Sequence, residues 1–367
     1  MRVYVYPSDL GGCGYYRLTW PAKELLKQGY DVRIIHPTNQ RLSGGTDEND
    51  QLVQISAPSD ADVMVFQRVT SVKMINGIKI LRENGITVVV DVDDDMSAIH
   101  PHNPAFAALV PGGQQPEYDF NNALKVADVA TYVTTSTDAL LSRYARHGRG
   151  MILRNCVPKI FLDIPHTPEP KTIGWGGSMH SHPDDPQVCG PAMARLTRFG
   201  FKFKIVGPPR GTRVGFQLDA EPPATGPVPI QNYPHELTKL MVGIAPLNDT
   251  RFNEAKSWLK MLEYAALGVP CVGSPRAEYR RIHALGVGLL ASDPKQWFKH
   301  AKHLLENEAY RNEVADRGRA AVAELTIEKN AWRWWEAWSE AYKIQQRSTS
   351  ASPLGIKKAV GRIQTTA

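Results

Sequence analysis

In the stretch IAPLNDTRFNEAKSWLKMLEYAALGVPCVG, residues 244–273, Lys256, Lys260, Glu263 and Leu267 follow at spacings of four, three and four. On a helix from about 255 to 267 these positions share one stripe, and Leu259, Leu262 and Ala266 form the stripe to be buried. A helix opening on Lys256 and Ser257 after an irregular turn offers an anion free backbone N–H groups, the positive dipole end and an ammonium. Farther along, Glu263 can accept hydrogen bonds from a pair of sugar hydroxyls. Phosphate at the helix start and ribose beyond it describe a nucleotide. The alternative is an amphipathic surface helix with a solvated Lys-Lys-Glu face.

Two further groups of residues could do chemistry. The run ITVVVDVDDD ends in Asp91, Asp93, Asp94 and Asp95. Such a cluster invites a divalent metal; it could equally orient an acceptor hydroxyl, cap the next segment, or hold His100 or His102. Glycines mark two strand-to-helix turns: Gly11, Gly12 and Gly14 after RVYVY, and Gly174, Gly176 and Gly177 in KTIGWGG. Either turn can bring backbone close to a ligand, or can simply pack tightly. Arg17, directly after Tyr15 and Tyr16, could point toward the same ligand as the first turn. Two histidines at i and i+2, His180 and His182, do not make a zinc site without further ligands.

These groups need elements to position them. RVYVY, a helix from about Leu18 to Lys27 and DVRIIH read as a βαβ opening; ADVMVFQR, ITVVVDV and ADVATYVTTS supply further buried strands, with helices between them. Residues 40–52 and 208–229 read as loop. After 244–273, SPRAEYRRI and GVGLLAS give a turn, helix and strand. Two helices follow, and a final one carries Trp332, Trp334, Trp335 and Trp338. At 367 residues the chain suits two domains. No apolar run approaches the roughly 20 residues of a membrane span. The four cysteines form neither a CxxC pair nor a disulfide framework, which suggests a reducing, cytoplasmic setting. A net charge of +6 permits an anionic partner without choosing one.

The string APLNDTRFNEAKSWLKMLEYAALGVP resembles the donor-binding segment of GT-B nucleotide-sugar glycosyltransferases, especially the retaining, family-4-like branch. KTIGWGGS, followed by His180 or His182 and Asp184 or Asp185, resembles the turn that opens the donor domain in that branch. RNCVP, with Asn155 and Pro158, resembles the exit from the first domain. The resemblance covers most of residues 1–345. It implies that Glu263 holds the donor ribose and that Lys256, with Lys260, meets the diphosphate. One departure stands out: the usual first glutamate, eight residues before Glu263, is Ala255, with Glu254 one place off.

The expected fold is α/β GT-B, two Rossmann-like domains facing each other across a cleft, with a C-terminal helix crossing back to the first. The expected parts are an acceptor domain at 1–164, a linker at 165–170, a donor domain at 171–325, a crossover helix at 326–346 and a disordered basic tail at 347–367. Expected donor-binding residues are Gly12, Gly14, Arg17, Gly177, Ser178, Lys256, Ser257, Lys260 and Glu263. Asp94, His100 and Lys256 are the expected catalytic residues, and Asp93, Asp95 and His102 the expected acceptor-binding ones. The implied activity is hexosyl transfer from a nucleoside diphosphate sugar to a hydroxyl of a modified DNA base or a protein, with retention and without a metal ion or other cofactor. A sugar-nucleotide epimerase and a catalytically silent nucleotide-binding module share the same fold. The residues leave the donor's base and sugar and the oligomeric state open.

Overall fold

The computed structural model describes residues 1–39, 42, 44–114, 118–350 and 360–363. The chain forms two compact units. The first comprises Met1–Ile99, Ala105–Arg154 and Asn330–Ala367; the second comprises His100–Pro104 and Asn155–Lys329.

In order, the strands are β1 (Val3–Tyr6), β2 (Val32–Ile34), β3 (Gly44–Thr46), β4 (Leu52–Pro58), β5 (Val63–Gln67), β6 (Thr87–Val92), β7 (Tyr132–Thr135) and β8 (Gly150–Ile152). They continue with β9 (Thr172–Gly176), β10 (Lys202–Val206), β11 (Val242–Ala245), β12 (Cys271–Gly273), β13 (Leu289–Leu290) and β14 (Val360–Ile363). The first unit's main sheet has the order β2-β1-β5-β6-β7-β8 and is parallel throughout. Its central strands VYVY, VMVFQ and TVVVDV are buried along their whole length. Such continuous β-branched and apolar runs belong to a parallel sheet covered on both faces. The C-terminal helix Trp332–Ser350 packs on this sheet through Trp334, Ala337, Trp338 and Ala341, the i, i+3, i+4, i+7 face of an amphipathic helix. Trp334 Nε1 donates to the Arg17 carbonyl at 2.7 Å, whereas Trp332 stays half exposed.

The second unit's sheet has the order β10-β9-β11-β12-β13, again parallel. Trp175, Phe203, Phe216 and Trp297 lie in its core. Both sheets reverse direction of growth beside their first strand, the position where open α/β sheets bind ligands at the strands' carboxyl ends.

Three expected boundaries change. Residues 155–164 join the second unit: Val157 bridges to Thr326, Phe161 is buried, Lys159 N–H donates to Glu328, and the Leu162 carbonyl accepts from Arg319. The stretch expected as a linker is tied down as well, with His166 Nε2 2.8 Å from the Leu240 carbonyl and Glu169 N–H on the Lys239 carbonyl. The polar run 40–52 supplies β3 and part of β4, which pair antiparallel, because Ile55 and Ala57 face inward and Gly77 lets the strand approach the helix Lys73–Glu83. The tail expected to be disordered continues the last helix to Ser350 and adds β14, parallel to β4 with Val360 opposite Ile55. Lys357 and Lys358 lie outside the described residues. Among the described residues no helix is long and apolar enough to cross a membrane.

Candidate functional site

The site forms where β9 and β11 of the second unit end. β9 runs into Gly176 and Gly177, whose missing side chains are demanded by packing: a Cβ on Gly176 would lie 2.4 Å from Tyr233 Oη, and one on Gly177 2.4 Å from the Trp175 ring. The turn closes on Ser178, whose carbonyl accepts from the N–H groups of Ser181 and His182 and whose Oγ accepts from His180 N–H at 3.2 Å. This turn brings His182 Nδ1 to 2.6 Å from Asp185 Oδ2. Asp185 Oδ1 in turn accepts from Asn248 N–H at 2.8 Å and from the Asn253 amide. Burial alone would raise the Asp185 pKa, but the hydrogen bonds from His182, Asn248 and Asn253 outweigh it and hold the carboxyl below its ordinary value. A carboxylate there makes Nδ1 the donor, leaving Nε2 of His182 as the acceptor. Burial, with Lys256 and Lys260 nearby, lowers the His182 pKa against the pull of Asp185.

The expected continuous helix from 255 to 267 is two helices. Arg251–Glu254 is capped by Thr250, whose Oγ1 accepts from Asn253 N–H, and Leu259–Ala266 follows after a turn. Lys256 and Ser257 therefore sit in the connection rather than on the helix stripe. Two side-chain bonds draw the chain out of the helical path: Asn155 Nδ2 donates to Ser257 Oγ at 2.9 Å, and Trp258 Nε1 donates to the Asn155 carbonyl at 2.8 Å. Lys256 Nζ lies 4.5 Å from the Phe252 ring centroid. Lys260 is half-buried, donates to the Gly176 carbonyl and lies 5.7 Å from the Trp175 ring centroid. Its pKa is lowered by burial, partly opposed by Glu263. Glu263 is buried at 5% exposure and its charge, after burial, raises the Tyr233 pKa. Lys256, Lys260, Glu263, Tyr233 and the His182–Asp185 pair thus share one neighbourhood. The His182–Asp185 pairing and the roles of Asn155, Asn248 and Asn253 were not legible, although the three-residue spacing from His182 to Asp185 was a signal.

The first unit's glycine turn is differently filled. Asp9 Oδ1 accepts from the N–H groups of Gly11 and Gly14 at 2.8 and 3.0 Å. A Cβ on Gly14 would lie 2.0 Å from the Asp9 carbonyl, so packing dictates this glycine, while Gly12 has room for one. Arg17 is fully buried; its Nε and Nη2 bond to the two Asp91 oxygens at 3.0 and 2.8 Å, and it also donates to the Leu153 carbonyl. The expectation of Arg17 as a donor-binding residue is corrected on that ground: its guanidinium neutralises Asp91 inside the sheet. Asp93 and Asp94 have their charge met by Arg68, at 2.6 Å each, with Arg68 in the left-handed region at φ 55°. Cys13, Asp93 and Asp94 offer ligand atoms within 4.8 Å of one another, and Arg68 stands among them. Asp95 caps the turn Met96–Ala98 and accepts from Ser97 and Tyr144. His100 has both ring nitrogens engaged, Nδ1 by His102 N–H at 3.0 Å and Nε2 by Asp184 at 2.8 Å. These contacts brace the segment His100–Pro104.

Residues 188–334 match the family model for glycosyl transferase-like proteins. No curated protein matches the chain in sequence. Among solved structures, HepE from Anabaena in complex with UDP and glucose is similar at 12% identity and TM-score 0.61, over 92% of this chain and 99% of that one. Sucrose-phosphate synthase from Thermosynechococcus elongatus matches at 12% identity and TM-score 0.62, over 94% and 100%. A glycosyltransferase from Rickettsia africae matches at 12% identity and TM-score 0.60, over 93% and 98%. The chain has the GT-B fold, and its residues 188–334 are glycosyl transferase-like. In this GT-B protein the family segment spans Lys256, Lys260 and Glu263 but begins after His182 and Asp185.

Proposed function

We propose that the chain is a glycosyltransferase that moves a sugar from a nucleoside diphosphate sugar to a hydroxyl acceptor, with retention and without a metal ion. The observation that carries this reading is the clustering of Lys256, Lys260, Glu263 and the His182–Asp185 pair at the carboxyl end of the second sheet, inside or beside the family segment. Glu263 would receive the ribose hydroxyls, Tyr233 would border the base, and Lys256 and Lys260 would face the diphosphate. Ser257, Ser178 and Gly177 support this site through their turns. As the bond from the sugar's anomeric carbon to the diphosphate breaks, its electron pair leaves with the phosphate, and the two lysines stabilise that growing charge. The acceptor oxygen forms the new bond and its proton passes to a phosphate oxygen. HepE is known in complex with UDP-glucose, which makes UDP-glucose the first donor to test.

On the acceptor side we infer a macromolecular hydroxyl, of a modified DNA base or a protein, approaching His102. Cys13, Cys156, Cys189 and Cys271 form no disulfide, which suits a reducing cytoplasm. The deciding experiment is a thermal-shift screen of nucleoside diphosphates and their sugars, followed by transfer of labelled sugar to hydroxymethylated DNA, to protein and to simple glycosides. A ligand at 100 times its dissociation constant should stabilise by about 2.7 kcal/mol. No shift with any nucleotide would end the reading. Ala255, buried where the family places a glutamate, favours one second reading, a silent nucleotide-binding module. Binding without transfer or hydrolysis would establish it, and product formed without any acceptor would point to an epimerase.

A further inference from the structure

The second unit holds a cavity of about 510 Å³ that the donor chemistry above does not use. Its polar lining is His102, His180 and Arg210, contributed by three separate chain segments; Pro104, Met179 and Pro183 supply apolar walls. Arg210 makes no hydrogen bond or ion pair among the described residues, although a guanidinium offers five N–H donors. Its loop is nonetheless held in shape: Thr212 N–H and Oγ1 both bond to the Pro209 carbonyl, at 3.0 and 2.6 Å, and Gly211 takes φ +80° to make the turn. The rings of His102 and His180 have no hydrogen-bond partner among the described residues. His102 is steadied by an edge contact with His100, at 5.0 Å between centroids, and Asp184 holds His100 in turn.

No carboxylate is among the residues that line the cavity, and Asp184, next in sequence to Pro183, is engaged by His100. Donors from three directions suit a group with three or more oxygens, and a planar guanidinium fork suits phosphate in particular. The volume exceeds what a phosphate alone would fill, and the proline and methionine walls suit the organic part attached to it. We propose that this cavity binds a phosphate group carried by the acceptor. The proposal rests on the glycosyltransferase reading for the word acceptor, but the phosphate site itself does not. The phosphate could belong to a small phosphate ester or to the phosphodiester backbone of a nucleic acid.

The test uses the full chain and local probes. The imidazole C–H signals of His102 and His180, assigned with His102→Asn and His180→Asn, are followed by NMR during titration with inorganic phosphate, with glycerol phosphate and with a short single-stranded DNA. Nucleoside diphosphate affinity is measured calorimetrically on the same samples. Both imidazoles should shift in a saturable way, and Arg210→Ala should weaken that binding at least tenfold while leaving nucleotide affinity within twofold. DNA binding at least tenfold tighter than the small esters, and falling steeply with salt, would identify a nucleic-acid source; equal affinities would identify a small ester. Imidazoles that respond to none of the three ligands, or a response unchanged in Arg210→Ala, would overturn the proposal. A wild-type protein that binds phosphate here but no nucleotide would leave this site standing and remove the glycosyltransferase reading.

Discussion

Each unit of this chain opens with a buried strand, a glycine-bearing turn and nearby charged side chains, and the two turns have been put to different uses. In the first unit Arg17 is bound by Asp91, Arg68 by Asp93 and Asp94, and Asp9 accepts from two backbone N–H groups. In the second, two lysines share a neighbourhood with Glu263 and with an imidazole held neutral by its surroundings. The first turn is a brace under the C-terminal helix, its arginines bound to carboxylates. The second places two lysines where a dianionic leaving group would sit, Lys260 on the Gly176 carbonyl and beside the Trp175 ring and Lys256 beside the Phe252 ring. Glycine spacing is the same kind of signal in both, so what separates structure from function is which groups the cations around the turn meet.

The largest effect should come from breaking the first turn. Arg17→Met leaves Asp91 buried and uncompensated, a change that costs about 3–5 kcal/mol. Chemical denaturation should show that loss, and the double variant Arg17→Met/Asp91→Leu should recover much of it. Nucleotide affinity of the folded fraction should not change; a loss of affinity at constant stability would reverse the assignment of Arg17. Next in size, Glu263→Gln and Lys256→Ala should each weaken nucleoside diphosphate binding by about 1.5–3 kcal/mol, tenfold or more, through lost charge-assisted hydrogen bonds. Calorimetric titration measures this, and the melting temperature of Lys256→Ala should stay near that of the wild type. Unchanged affinity in both variants would dissolve the contrast between the turns.

The strands were legible because their apolar runs are long and β-branched, and the fold followed from two such sets separated by glycine turns. That Lys260 and Glu263 share one helix was legible from spacing, whereas Lys256, expected on the same stripe, lies in the connection before it. The helix break at 255–258 was not, because it depends on Asn155, a hundred residues away, bonding to Ser257 and Trp258. Arg17 misled for a related reason: a cation beside a glycine turn looks like a ligand contact until its partner Asp91, 74 residues distant, is placed beside it. The strand β14 was hidden by a small, polar composition that carries no period. Local pattern reports what a segment can form, and long-range partners decide which groups remain available.

Glycine substitutions sharpen the comparison further. Gly14→Ala places a Cβ 2.0 Å from the Asp9 backbone oxygen, so the turn must shift, at a cost on the order of 1–3 kcal/mol. Gly12→Ala meets nothing closer than 3.9 Å and should be nearly neutral. Neither should alter nucleotide affinity if the first turn is a brace. A large affinity loss in Gly12→Ala, with stability intact, would return that turn to the donor site.

The smallest expected effect concerns acid. His182 is held below its ordinary pKa of 6.5 by burial first and then by Lys256 and Lys260, so the unfolded chain takes up its proton at a higher pH than the folded one. Folding stability therefore falls as pH drops below about 6.5 and levels off once the lowered folded value is passed. Asp185 behaves separately: its folded pKa lies below 3.8, so its contribution is present above that value and is lost as pH falls through the folded one. His182→Gln should remove only the first component. Burial also lowers His147 in the first unit, and His147→Gln provides the matched control. Each variant should flatten the stability profile below pH 6.5 by no more than about 1.4 kcal/mol per pH unit, the limit for one proton. A bound diphosphate should favour protonated His182 by its charge, so saturating nucleotide should shrink the difference between His182→Gln and the wild type and leave that for His147→Gln untouched. Equal responses of the two variants to nucleotide would mean that the groups around His182 at the second turn do not meet the ligand.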